Sequence, residues 1–158
     1  MNLRYVFTPG GPAVVLTDGA LLTMQRCRQI KTKDKEAGGQ LFAHFDQSDT
    51  VIVEATTATQ LDHRMRFGFR PHRRSQQNEI YEQYARGLHF VGDWHTHPEN
   101  VPRPSVEDMS SMIECYRKSA HELRAFIMVI VGIAEVPMSL YVALVDSDDI
   151  HPMLLEPS

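Results

Sequence analysis

Gly92-Asp93-Trp94-His95-Thr96-His97-Pro98-Glu99-Asn100-Val101-Pro102-Arg103-Pro104-Ser105-Val106-Glu107-Asp108 reads as a strand, a proline-bracketed turn and the first turn of a helix. Alternate side chains on a strand share a face, so His95 and His97 project together, their side-chain origins roughly 7 Å apart. Two imidazoles at that spacing converge on one ion. Pro98 and Pro104 bound the turn that brings the chain back, and Ser105-x-x-Asp108 has the form of a capping box. The helix it opens, Ser105 to about Ala120, turns Val106, Met109, Met112, Ile113 and Tyr116 toward a core. Asp108 falls beside that stripe, where a third ligand is available.

Moving outward, Ala125 to Ile133 and Met138 to Val145 read as two closing strands. Upstream, short strands are expected near Tyr5 to Phe7 and Ala13 to Leu16. Ala20, Leu21, Met24, Cys27 and Ile30 recur at helical spacing and predict a helix over 18–33. Ala37 to Phe42 and Thr50 to Ala55 look like one hairpin, and His63 to Arg70 alternates like a half-buried strand, with Met65, Phe67 and Phe69 on one side. Ser75 is a plausible cap for a helix in which Ile80, Tyr81, Tyr84 and Leu88 share a side and Gly87 signals the stop. The mixed order of elements, without repeat or linker, predicts one α/β (mixed α+β) domain over 1–158, a twisted mixed sheet packed with helices.

The chain has 158 residues and a net charge of 16 − 20 = −4, so it carries no global attraction to nucleic acid or anionic lipid. The longest apolar run, Ala125 to Ala134, is about half of the roughly 20 residues that a spanning helix needs, which argues for a core strand and against a membrane span. No secretory signal is visible at the start, and a cytoplasmic protein is expected. Cys27 and Cys115 fall in predicted helices, where two reduced, partly buried thiols are the expectation.

Two neutral nitrogens and a carboxylate oxygen suit zinc, and three protein ligands leave a fourth position for water. Such an ion brings the pKa of bound water toward neutrality and polarises a carbonyl, the two requirements for hydrolysing an amide at pH 7. Taken singly, a strand His pair is more often hydrogen-bonded structure, and Ser105-x-x-Asp108 is a cap. Five fixed residues at set spacing, however, arise by chance on the order of once in 10⁴ chains of this size. Trp94 points away from the histidines and reads as packing.

His95-x-His97-Pro98, six residues, then Ser105-x-x-Asp108 resembles the JAMM signature of the JAB/MPN+ zinc metallopeptidases, and Glu36-Ala37-Gly38-Gly39-Gln40-Leu41-Phe42 resembles the upstream element that carries their catalytic glutamate. The resemblance covers nearly the whole chain. It implies that His95, His97 and Asp108 bind one zinc ion, that Glu36 moves the proton from water to the leaving amine, and that Ser105 helps hold the oxyanion. Glu36 is selected by the resemblance alone, since its charge run otherwise offers a solvated acid.

Many members of this family cleave the amide joining the C-terminal tail of ubiquitin, or of a ubiquitin-like protein, to a target amine. The compact form seen here lacks the extra loop that grips ubiquitin and is similar to bacterial JAB peptidases, including those of CBASS antiphage operons. What this implies is a deubiquitinase-like isopeptidase acting on a protein with an extended C-terminal tail, a CD-NTase conjugate made by an E1/E2-like ligase. Processing of a sulfur-carrier or ubiquitin-like precursor, a RadC-like DNA-repair-associated protein and a metal-free scaffold are the alternatives. Arg64, Arg66, Arg70, Arg73 and Arg74 either receive an acidic partner or solvate a sheet edge.

Overall fold

The computed structural model describes residues 1–57, 63–65, 68–70 and 73–158, with 63–65 and 68–70 described by backbone alone. The elements follow in the order β1 (Leu3–Val6), β2 (Ala13–Leu16), α1 (Asp18–Arg26), β3 (Gly38–Asp46), β4 (Asp49–Ala55), β5 (His63–Met65), β6 (Gly68–Arg70), α2 (Arg73–Ala85), β7 (His89–Thr96), α3 (Val106–Lys118), β8 (Phe126–Val131), β9 (Leu140–Val145), β10 (Ile150–Pro152) and β11 (Leu154–Leu155). Nine strands form one sheet in the order β10-β9-β8-β7-β3-β4-β2-β1-β11. The pairs β2/β4 and β7/β8 are parallel and the rest antiparallel, so the expected mixed α+β architecture is the one observed.

The continuous apolar run becomes β8, Phe126-Ile127-Met128-Val129-Ile130-Val131, and every residue of it is buried. Its two faces feed two cores. Ile127, Val129 and Val131 pack with Trp94 and with Ala20, Leu21 and Met24 of α1. Phe126, Met128 and Ile130 pack with Met112 of α3. Each such aliphatic side chain contributes about 1.5–3 kcal/mol on burial, which makes β8 the main anchor for its neighbour β7.

Several expectations shift. The first helix stops at Arg26 and not near 33, because the buried stripe of Ala20, Leu21 and Met24 ends there; Ile30, assigned to that stripe, is 61% exposed. The predicted strand over 63–70 is two three-residue strands paired antiparallel, His63 opposite Arg70, and it stands apart from the main sheet. Alternation reports extended backbone but not where the chain reverses. The side chains assigned to its two faces, Arg64, Arg66 and Arg70 among them, lie outside the described residues, whereas Arg73 and Arg74 are exposed in the first turn of α2.

In α2, Ser75 is the third helical residue and not a cap, and the expected apolar side splits: Tyr81 and Tyr84 are exposed, while Ile80 and Leu88 are half-buried. Gln76, Glu79 and Gln83 turn inward with Ile80. The stop at Gly87 holds: φ is +84°, and the Leu88 and Gly87 amides bond back to Gln83 and Tyr84 in a Schellman arrangement. Val106, expected in the core, is exposed at the tip of α3, and the short strands β10 and β11 extend both ends of a sheet that the sequence reading closed at Val145. Cys27 and Cys115 are half-buried as expected, and no disulfide joins them.

Candidate metal centre

Two neighbours, β3 and β8, fix β7 near the middle of the sheet, and its register sets the site. His95 pairs with Gly38 of β3 and Ile130 of β8, and Trp94 pairs with Gly39 and Val129. Trp94 therefore belongs to the α1 side, 1% exposed, where its indole Nε1–H donates to Thr56 O at 2.8 Å. A Cβ on Gly39 would lie 1.9 Å from that same carbonyl oxygen, so glycine is required where β3 crosses the Trp94 ring. His95 and His97 emerge on the α3 side.

The turn after Pro98 is held down by the end of β8. Ile133 N–H donates to Glu99 O at 2.8 Å, and a Cβ on Gly132 would come within 2.4 Å of that oxygen. The chain then enters α3 through Ser105, whose Oγ accepts from the Asp108 amide at 3.0 Å while the Ser105 amide donates to Asp108 Oδ2 at 2.8 Å. This is the expected capping box, and it aims Asp108 back at the histidines from a helix N-terminus, where a carboxylate is favoured.

Nε2 of His95 and Nε2 of His97 are 3.2 Å apart; Asp108 Oδ1 is 3.3 Å from the first and Oδ2 3.1 Å from the second. Tetrahedral zinc with ligands at about 2.0–2.1 Å separates those ligands by about 3.3 Å, a spacing close to that of the two imidazole nitrogens, while Asp108 meets each of them with a different oxygen. Glu36 stands beside it, 6% exposed, with a carboxylate oxygen within 4.8 Å of a nitrogen of each histidine. The upstream glutamate and the downstream motif, 59 positions apart from Glu36 to His95, are brought to one place.

Charge balance follows from this packing. Burial works against the Asp108 carboxylate, yet hydrogen bonds from His95 and His97 and from the Ser105 amide outweigh it and hold the group well below the usual carboxylate range. Burial also works against protonated His97, but its contacts with Asp108 and Glu99 prevail and raise it. Glu36 is pushed up to about 7, chiefly by burial, with His97 pulling it down and Asp108 pushing it up.

One contact escaped the sequence reading. His97 Nδ1 lies 3.0 Å from Glu99 Oε1, so Glu99 accepts from Nδ1–H, the arrangement that would leave Nε2 to ligate an ion in place of its contact with Asp108. A carboxylate two residues beyond His97 was the available signal.

Residues 21–143 match the family model described as prokaryotic homologs of the JAB domain. Curated relatives named CD-NTase/cGAS isopeptidase include one from Pseudomonas aeruginosa, 32% identical over 71% of this chain and 72% of its own length. Another, from Enterobacter hormaechei, is 32% identical over 65% of this chain, and a third, from Escherichia coli, is 29% identical over 63%. The matched region spans 58% and 66% of those two relatives. Among solved structures, a Desulfitobacterium hafniense protein superposes with a TM-score of 0.61, at 24% identity over 87% of each chain, a likeness of fold.

Proposed function

The chain belongs to the family of prokaryotic homologs of the JAB domain, and from that premise we propose that it is a zinc-dependent isopeptidase that releases a protein from the amine to which its C-terminal tail has been joined. The observation that carries this reading is the convergence of His95, His97 and Asp108, with a buried carboxylate, Glu36, within reach of both imidazoles. In this reading residues 1–158 act as one catalytic domain in the bacterial cytoplasm. Among the described residues no helix is long and apolar enough to cross a membrane.

Zinc, when bound, supplies an acidified water and a Lewis acid for the scissile carbonyl. The chain's own residues do the rest. Two imidazole nitrogens and one carboxylate oxygen hold the ion, and the capping box keeps Asp108 from turning away. Glu36 takes the proton released as water adds to the carbonyl carbon and delivers it to the departing nitrogen, so that amide and water become a carboxylate and an amine. Burial raises Glu36 and a neighbouring dication lowers it, a balance suited to a group that must accept and return a proton near pH 7. The Ser105 oxygen is occupied as acceptor by the Asp108 amide, which leaves its hydroxyl hydrogen to donate to the developing oxyanion.

The substrate we assign is a CD-NTase conjugate, which the names of the curated relatives support, built by an E1/E2-like ligase in a CBASS antiphage system. The acidic net charge offers nothing to a nucleic-acid partner. The test is a CD-NTase fused through its C-terminus to a reporter. Zinc-loaded protein is expected to cut after the last native residue, to lose the activity to a chelator, and to lose about 10²–10⁴-fold in rate on Glu36→Gln with zinc still bound. Intact fusion after prolonged incubation, or full activity in Glu36→Gln, would overturn the reading.

A further inference from the structure

Glu36 lies in a stretch that has no regular structure of its own. Between the end of α1 at Arg26 and the start of β3 at Gly38, Lys31, Thr32, Lys33 and Lys35 are exposed. Yet the carboxylate at the end of this stretch must be held within a fraction of an ångström of the reacting atoms to be useful, since a displacement of about 1 Å costs on the order of 10²-fold. Something outside the metal centre has to hold it there.

Gln29 does not continue the helix as expected. It turns inward and is 0% exposed, an unusual place for an amide unless its polar atoms are matched. Its Nε2 donates to Asp34 O at 3.2 Å, and its Oε1 accepts from Thr96 Oγ1 at 2.9 Å. The same Thr96 oxygen accepts from the Ala37 amide at 2.9 Å, and the Thr96 amide donates to Ala37 O at 2.8 Å. Glu36 is thus bracketed, two residues before and one after, by backbone groups that meet at Gln29 and Thr96. Thr96 pairs with Val131, a residue of the α1-side core, so the bracket sits on the opposite sheet face from the imidazoles between which Thr96 lies in sequence.

We infer that Gln29, acting through Thr96, is a positioning residue that fixes Glu36 against the strand carrying His95 and His97. It touches neither the ligands' ring nitrogens nor the space a substrate would fill, so its effect falls on the rate of the chemical step and not on metal or substrate binding. Removing the amide leaves the buried Thr96 hydroxyl only its long contact with Ala37 O, at 3.5 Å, and the Asp34 carbonyl without that donor. The inference rests on the proposed role of Glu36.

The test uses the zinc-loaded full chain and the CD-NTase–reporter fusion, with Gln29→Met, which keeps length without polarity. Expected are a 10- to 100-fold fall in kcat, KM and zinc affinity within about threefold of the parent, and exchange of the Ala37 amide hydrogen accelerated at least tenfold. Thr96→Val should reproduce the same pattern. Thr96→Ser, which keeps the hydroxyl, should recover most of the loss, and combining Gln29→Met with Thr96→Val should cost little more than either alone. Parental kcat in both Gln29→Met and Thr96→Val would overturn the inference, as would a loss of zinc affinity as large as the loss of rate. Glu36→Gln measured alongside separates the two ideas: if it remains active, the role of Glu36 fails; if it is inactive while Gln29→Met is not, only the positioning role fails.

Discussion

Two polar clusters occupy the same face of β7, and they resolve their burial in opposite ways. Around His95 and the adjoining His97, Asp108 and His97 offset their burial with partners: Asp108 meets two imidazoles and an amide, and His97 meets Glu99. Two residues earlier, Asp93 lies opposite Gln40 of β3 and near Glu79 of α2, and its Oδ1 is buried with no hydrogen-bond partner among the described residues. Burial, with Glu79 adding to it, pushes Asp93 up to about 7. The Glu79 carboxylate takes a hydrogen bond from Thr56 Oγ1 at 2.9 Å, and with the Gln40 amide nitrogen turned toward α2 it takes a second at 2.8 Å. The comparison teaches that a buried carboxylate stays ionised where donors converge on it and is neutralised where another carboxylate is its neighbour.

The largest expected effect tests the paired cluster. Asp108→Ala removes both a ligand and the reciprocal half of the capping box; zinc binding is expected to be lost in chelator-competition titrations and cleavage to fall by about 10³-fold or more. Retained stoichiometric zinc would mean that Glu36, also within reach of the histidines, is the third ligand, and the comparison would have to be redrawn. A smaller effect is expected one shell out. Glu99→Leu should weaken zinc by about 10- to 100-fold, whereas Glu99→Gln, which keeps an oxygen for Nδ1–H, should restore much of it. Equal affinities in the two variants would remove the tautomer argument.

The smallest effect sharpens the other half. An unfolded aspartate ionises near the ordinary value of 3.8, while folded Asp93 stays protonated to about 7. Between those values the unfolded state releases a proton that the folded state keeps, so native stability falls as pH rises through this window and levels off above it. Asp93→Asn removes that penalty. Denaturant titrations are expected to show a gain of about 1–2 kcal/mol at pH 8 and little change at pH 4. A variant equally stable, or less stable, at pH 8 would show that Asp93 is ionised and paired after all.

These clusters also mark how far the sequence could be read. The residues proposed as metal ligands were legible as a candidate set because their spacing is local: two positions on one strand and a cap that is a short turn away. Glu36 was legible only through family resemblance, since its place depends on β3 pairing with β7 across dozens of residues. Gln29 was misassigned to a helix because periodicity counts apolar residues and cannot see an amide drawn toward Thr96. For α2 the amphipathic rule was right for Ile80 and Leu88 but not for the tyrosines, which point outward while Gln76 and Glu79 turn in, toward Gln40 on β3, a partner that no single-segment reading reveals. The hairpin of β5 and β6 was blurred for a related reason, as extended backbone looks alike before and after a reversal.

The parallel pairing of β7 with β8 has a consequence for how such a molecule acquires new partners. Parallel neighbours oblige the intervening chain to travel back along the sheet, and here that return journey is α3, which begins at the metal centre and finishes at Lys118, about 20 Å away along its axis. Residues 119–125, the landing between helix and strand, are thereby insulated from the chemistry. Insertions at that landing that keep Leu123 and His121, which pack on the cores and bond Tyr116, would add surface at the far end of α3 from the candidate metal centre.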